Sequence, residues 1–144
     1  MKERLLISAC LLGMPTRYDG EIKVYPQVDA LREKYELVPV CPEVMGGLSV
    51  PRAPSERVGE RVMSKNGTDV SDAYERGAML TLSVAAARGC RKALLKERSP
   101  ACGKGMIYDG SFTSTLTEGN GVAAELLLSE GIEVYGESEI SKLL

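Results

Sequence analysis

Cysteines stand at positions 10, 41, 90 and 102, and the chain contains no histidine. That absence removes every mechanism and metal site built on an imidazole, including Ser-His-Asp and Cys-His arrangements. Acid–base work therefore falls to carboxylates, thiols, Tyr, Lys or water. Glu43 follows Cys41 by two residues and Ser99 precedes Cys102 by three, so a carboxylate and a hydroxyl travel wherever those thiols go. Glu43 could act as a general base toward water, and Ser99 could donate or relay a proton. Both residue types also cap turns and helices, which is the alternative use of each. No CxxC pair is present, and Gly103-Lys104-Gly105 has the spacing of neither GxGxxG nor a Walker loop. Thioredoxin-like exchange and a nucleotide-phosphate cradle are thereby disfavoured.

The intervals between Cys10, Cys41 and Cys102 are too long for a local metal motif, so the fold must gather these residues. Residues 4–9 form a short apolar run that ends at Cys10, and residues 37–40 form a second that ends at Cys41. Residues 93–95 form a third, running toward Cys102. Pro26 opens a helix carrying Val28, Leu31 and Tyr35 at helical spacing. Residues 42–68 read as a long loop with a small hairpin around Val58 and Val62. A helix runs from Val70 to its stop at Gly89, capped by Thr68 or Asp69. Residues 103–119 read as a Gly-, Ser- and Thr-rich loop, 122–128 as a helix and 132–135 as a last strand. Two Tyr-Asp-Gly triplets, at 18–20 and 108–110, read as turns.

Strands alternating with helices predict an α/β fold: one Rossmann-like three-layer domain over residues 1–144, with a short, mainly parallel sheet and a small hairpin insertion. Pro39 lacks an N–H and places its strand at a sheet edge, which gives the order 2-1-3-4. In such a sheet the loops leaving the carboxyl ends of the strands share one rim, where ligands bind. Cys10, Cys41 and Cys102 belong to that rim. Cys90, between a helix and a strand, belongs to the opposite edge, reduced and packed.

Each cysteine could be a small buried hydrophobe, but three at equivalent topological places point to a shared task. A disulfide framework suits neither the size nor an intracellular chain. Zinc would need a fourth ligand beside three thiolates. Three thiolates without imidazole suit an iron–sulfur cluster, which normally takes four cysteines, so one iron would stay open to polarise a soft donor such as sulfur. Arg17, Tyr18, Asp19, Arg52 and Glu56 lie in the two long rim loops and could hold a polar heterocycle, or pair with one another as ordinary surface ions.

Composition narrows the partners. The net charge of −2 offers no global attraction to nucleic acid, although residues 88–104 are mostly basic and could form a positive rim beside an anionic site. Seven aromatic residues without Trp argue against a base-stacking platform for nucleic acid. No apolar run reaches the length of a membrane span, and the charged, interrupted N-terminus reads as a mature cytoplasmic chain. A homodimer is left open.

These motifs together resemble a family of small bacterial domains that includes thiouracil desulfidases. The pieces that carry the resemblance are SACLLG at 8–13, RYDG at 17–20, PVCPEVMGGL at 39–48, PRAPSE at 51–56, SPACGKG at 99–105 and IYDGSF at 107–112. Ala101 stands where that family usually has Ser. The resemblance implies a [4Fe-4S] cluster on Cys10, Cys41 and Cys102, with one open iron and a readiness to be lost in air. It also implies catalytic roles for Glu43 and Ser99 and no ligand role for Cys90; among the rim-loop residues, Arg17, Tyr18, Asp19 and Arg52 are the candidates for substrate contact. The expected reaction removes sulfur from a free thiolated base such as 2-thiouracil, giving the oxo base and sulfide. Relatives that act on thiolated tRNA usually carry an additional domain. The rival expectation is a sensor or carrier that binds an iron–sulfur cluster or zinc without catalysis.

Overall fold

A computed structural model describes residues 2–144. Strand β1 (Glu3–Ser8) is followed by a short 3-10 turn over Ala9–Leu12 and a longer 3-10 segment over Pro26–Glu33. Next come β2 (Tyr35–Val40), the one-turn helix α1 (Pro42–Met45), and a hairpin of β3 (Ser55–Val58) and β4 (Arg61–Ser64). The long helix α2 (Ser71–Arg88) leads to β5 (Lys92–Leu95), and a second hairpin pairs β6 (Met106–Tyr108) with β7 (Leu116–Glu118). Helix α3 (Val122–Ser129), β8 (Glu133–Gly136) and a 3-10 segment over Glu137–Lys142 complete the chain.

The central sheet has the order β2-β1-β5-β8, with every neighbour parallel. Leu5, Leu6 and Ile7 of β1 are fully buried, as an unbroken apolar run must be when both faces of a parallel strand are covered. On one face Leu6, Val38 and Leu95 pack with Tyr74 and Ala85 of α2 and Leu127 of α3. On the other, Leu5, Ile7 and Leu94 meet Val28, Leu31, Ile140 and Leu143.

That second layer corrects the sequence reading. Its cover consists of 3-10 segments, and Tyr35 opens β2 instead of closing a helix. The three-residue step from Val28 to Leu31 matches the 3-10 period. Residues 42–68 are not loop throughout, because α1 follows Cys41 directly, and residues 103–119 contain the β6–β7 hairpin. The N-cap of α2 is Val70, although Asp69 Oδ1 accepts the Ser71 N–H at 2.9 Å. Gly89 ends the helix in the left-handed conformation at φ 68°, where glycine carries no steric cost.

Two glycines set the spacing of α1 against α2. A Cβ on Gly77 would overlap the Pro42 carbonyl, and one on Gly46 would overlap the carbonyl of Ala73. The backbones touch because neither position has a side chain, and the contact brings α1 against the first turns of α2.

Candidate active site

The register of the sheet decides where the thiols emerge. Ser8 pairs with Val40, and Ile7 with Leu94, so β1, β2 and β5 end at nearly the same level. Cys10 sits in the 3-10 turn after β1, Cys41 is the extended residue between β2 and α1, and Cys102 lies in the turns after β5. All three line one cleft of about 540 Å³, and Glu43 and Ser99 line it too. A cleft of that size suits a small ligand. Cys90 is buried at the far end of α2, away from it. None of the four cysteines is in a disulfide.

Burial, and then the neighbouring Cys41 thiol, push Cys10 up from 9.0 to about 11, while Lys96 and Arg17 pull it back. Burial also raises Cys102 well above 9.0, opposed by a hydrogen bond from the Ser8 hydroxyl and reinforced by the charges of Cys10, Cys41 and Glu43. Ser8 Oγ accepts the Lys96 N–H at 2.9 Å, which leaves its own hydrogen for the sulfur.

Glu43, in the first turn of α1, is held at a single oxygen. Its Oε1 accepts the Tyr74 hydroxyl at 2.7 Å and Arg52 Nε at 3.2 Å. Oε2 has no hydrogen-bond partner among the described residues and is not sealed off. Burial and the Glu43 carboxylate raise the Tyr74 phenol far above its usual range, so Tyr74 stays a donor. Arg52, of which only 8% of the side chain is exposed, also donates Nη1 to the Ser49 carbonyl at 3.1 Å and Nη2 to the Thr16 carbonyl at 2.9 Å. It ties three segments together, presents Glu43 and lines the cleft itself.

Ser99 does cap a turn. Its Oγ accepts the backbone N–H groups of Ala101 and Cys102, each at 3.1 Å. The hydroxyl hydrogen remains free, and the residue lines the cleft.

Arg17 and Tyr18 line the cleft, but Asp19 does not. Its Oδ1 instead accepts the Glu21 N–H at 3.0 Å in an Asx turn and lies 3.4 Å from Arg17 Nε. That ion pair is not aligned as a hydrogen bond, so Arg17 Nε and Thr16 Oγ1 are buried polar atoms without a partner. Buried polar groups normally find one. The basic run splits: Lys96 and Arg98 reach the cleft, while Arg88, Arg91 and Lys92 line a groove at the other end of the sheet.

Sequence reasoning missed Tyr74 and Ser8. A Tyr on the buried face of a helix must satisfy its hydroxyl somewhere, and that was the signal available. Tyr108 and Phe112 line the cleft as well, beside Tyr18.

Comparison with known proteins identifies the family of this fold. A solved structure described as the [4Fe-4S]-dependent thiouracil desulfidase TudS superposes with a TM-score of 0.93 at 46% identity, over 99% of this chain and 95% of that one. YbbK of Bacillus subtilis, itself uncharacterised, is 35% identical over 97% of this chain and 99% of its own length. The model of the 2-thiouracil desulfurase family matches residues 5–139, and the chain belongs to that family.

Proposed function

We propose that this protein is a [4Fe-4S]-dependent desulfidase that converts a free thiolated pyrimidine of the 2-thiouracil type, with water, into the oxo base and hydrogen sulfide. The observation that carries the reading is the arrival of Cys10, Cys41 and Cys102 at one cleft beside Glu43 and Ser99. The donor set fits the cluster. It offers three thiols and no imidazole at one cleft. Thr16 Oγ1 and Arg17 Nε, buried polar atoms without a partner, belong to residues that line the same cleft. When bound to the three thiolates, the cluster would supply a Lewis-acidic iron lacking a protein ligand, which polarises a thiocarbonyl.

The chain's own residues then do the rest. Glu43 Oε2 takes a proton from the attacking water, while Tyr74 and Arg52 fix the other oxygen and hence the direction of the carboxylate. Ser99 Oγ, its lone pairs engaged by the Ala101 and Cys102 amides, turns its hydrogen toward substrate. Arg17 and Tyr18 contact the polar edge of the ring. The C=S bond is exchanged for C=O and both water protons leave with sulfur, so no electrons change hands and no reductant is needed.

Residues 1–144 act as one domain in this reading. The parallel order β2-β1-β5-β8 of the central sheet supports a Rossmann-like domain with strand order 2-1-3-4. Four free thiols and an air-sensitive cofactor favour the reducing cytoplasm, and among the described residues no helix is long and apolar enough to cross a membrane.

The test is anaerobic reconstitution with iron and sulfide, followed by incubation with 2-thiouracil. Uracil and sulfide should appear in equal amounts. Glu43→Gln should retain its iron and lose about 100-fold in turnover, the scale of a general base. Iron-loaded wild-type protein without turnover would leave a binding protein in place of an enzyme. Colourless protein carrying zinc would overturn the cofactor.

A further inference from the structure

The chain has one Phe and six Tyr, and three of these seven aromatics face the cleft that holds the thiols. Phe112 differs from the other two in its backbone. Among the described residues the non-glycine positions with positive φ are Arg98, Phe112 and Ser114, at 67°, 58° and 58°, and all three line this cleft. A bulky residue keeps a left-handed conformation only where its surroundings impose it, and such positions gather at functional sites.

The restraint on Phe112 is a buried carboxylate. Glu56 of β3 is 9% exposed, and its Oε1 accepts both the Gly110 N–H at 2.9 Å and the Phe112 N–H at 3.1 Å. Gly110, at φ 94°, packs where a Cβ would meet Val58. On the outer side, the hydroxyls of Ser111, Thr113 and Thr115 bond in sequence at 2.6 and 2.8 Å. The loop between β6 and β7 is thus fastened to the β3–β4 hairpin from within and braced from without. Arg17, Glu43 and Ser99 line the cleft with the thiols and can engage the edges of a heterocycle, and its face is left to an aromatic side chain.

We infer that Phe112 is the residue that recognises the ring, laying its face over the planar heterocycle, and that Glu56 is its positioning residue. This rests on the proposed desulfidase reading and deepens it. Stacking selects a flat aromatic ring and tolerates changes at its edge, so 2-thio and 4-thio pyrimidines should share this contact.

The experiment measures kcat and KM for 2-thiouracil and 4-thiouracil, together with calorimetric affinity for uracil, in anaerobically loaded protein. Phe112→Ala should raise both KM values about ten-fold and weaken uracil by a similar factor, the scale of one base–aromatic stack. Its iron content should match wild type and its kcat should change far less. Phe112→Leu, which keeps bulk without a π face, should recover little, whereas Phe112→Tyr should recover most. Glu56→Ala should copy the KM defect by releasing the loop, and Glu56→Gln should rescue it, because the amide oxygen still accepts both N–H groups. Unchanged KM and uracil affinity in Phe112→Ala, with active wild type, would overturn this inference alone. Wild type that neither turns over 2-thiouracil nor binds uracil would overturn the function and this inference together.

Discussion

At the scale of the residue, one side chain often serves two purposes. Ser99 holds the turn that presents Cys102 and also offers a hydrogen to the cleft. Ser99→Ala would orphan two amides, lowering stability by about 1 kcal/mol, roughly a 3 °C fall in Tm. We expect sulfide release to drop well beyond what that loss explains, and Ser99→Thr to restore both properties. The thiols make a second prediction. Cys10 is raised to about 11 and Cys102 well above 9.0, chiefly by burial, so the folded apo-protein holds these protons more tightly than the unfolded chain does. The contribution of Cys10 to stability is complete below pH 9 and is lost as the pH rises through about 11, and that of Cys102 likewise declines above pH 9. Thermal melts of the iron-free protein should show Tm falling over that window, and Cys10→Ala should flatten the decline. Glu43 and the three thiols were legible in sequence because their types alone restrict the chemistry. Tyr74 was not, since its partner lies 31 residues away and only the packing of α1 on α2 joins them.

Elements explain why those distances hold. The contact between α1 and α2 depends on Gly77, where any side chain would strike the Pro42 carbonyl. Gly77→Ala should push α1 outward at a cost of about 1–3 kcal/mol. Because Cys41 precedes α1 and Glu43 belongs to it, the variant should lose iron and turnover together, read by elemental analysis and sulfide assay. The long elements could be read in sequence: α2 shows its period over many residues, and the strands before Cys10 and Cys41 end at Gly or Pro punctuation. Helix α1 spans four residues, too few for any period to register, and β6 and β7 span three each within Gly- and Ser-rich sequence. The Pro26 segment announced its start, but Val28 and Leu31 alone could not separate a 3-10 helix from an α-helix.

For the whole molecule, the division between ends is the organising fact. One end of the parallel sheet gathers the site, and the other carries Cys90 among Arg88, Arg91 and Lys92. Cys90→Ala should therefore leave iron content and turnover unaltered while trimming stability slightly. The pairing of distant strands into one rim could be inferred from topology, but the 3-10 segment over Glu137–Lys142 that helps cover the opposite face could not, because six residues are too few for a period to register. The wide separation of Cys10, Cys41 and Cys102 along the chain has a mechanical corollary. A single inorganic knot tied through all three would close two large loops, forbidding the unravelled chain most of its conformations; each closure is worth on the order of 4 kcal/mol in a chain-entropy picture. Stripping the iron with a chelator should lower Tm by roughly 10 °C or more. In this protein the cofactor would then be a clasp as well as a reagent, and damage by oxygen would mark the molecule for unfolding at the moment it stops working.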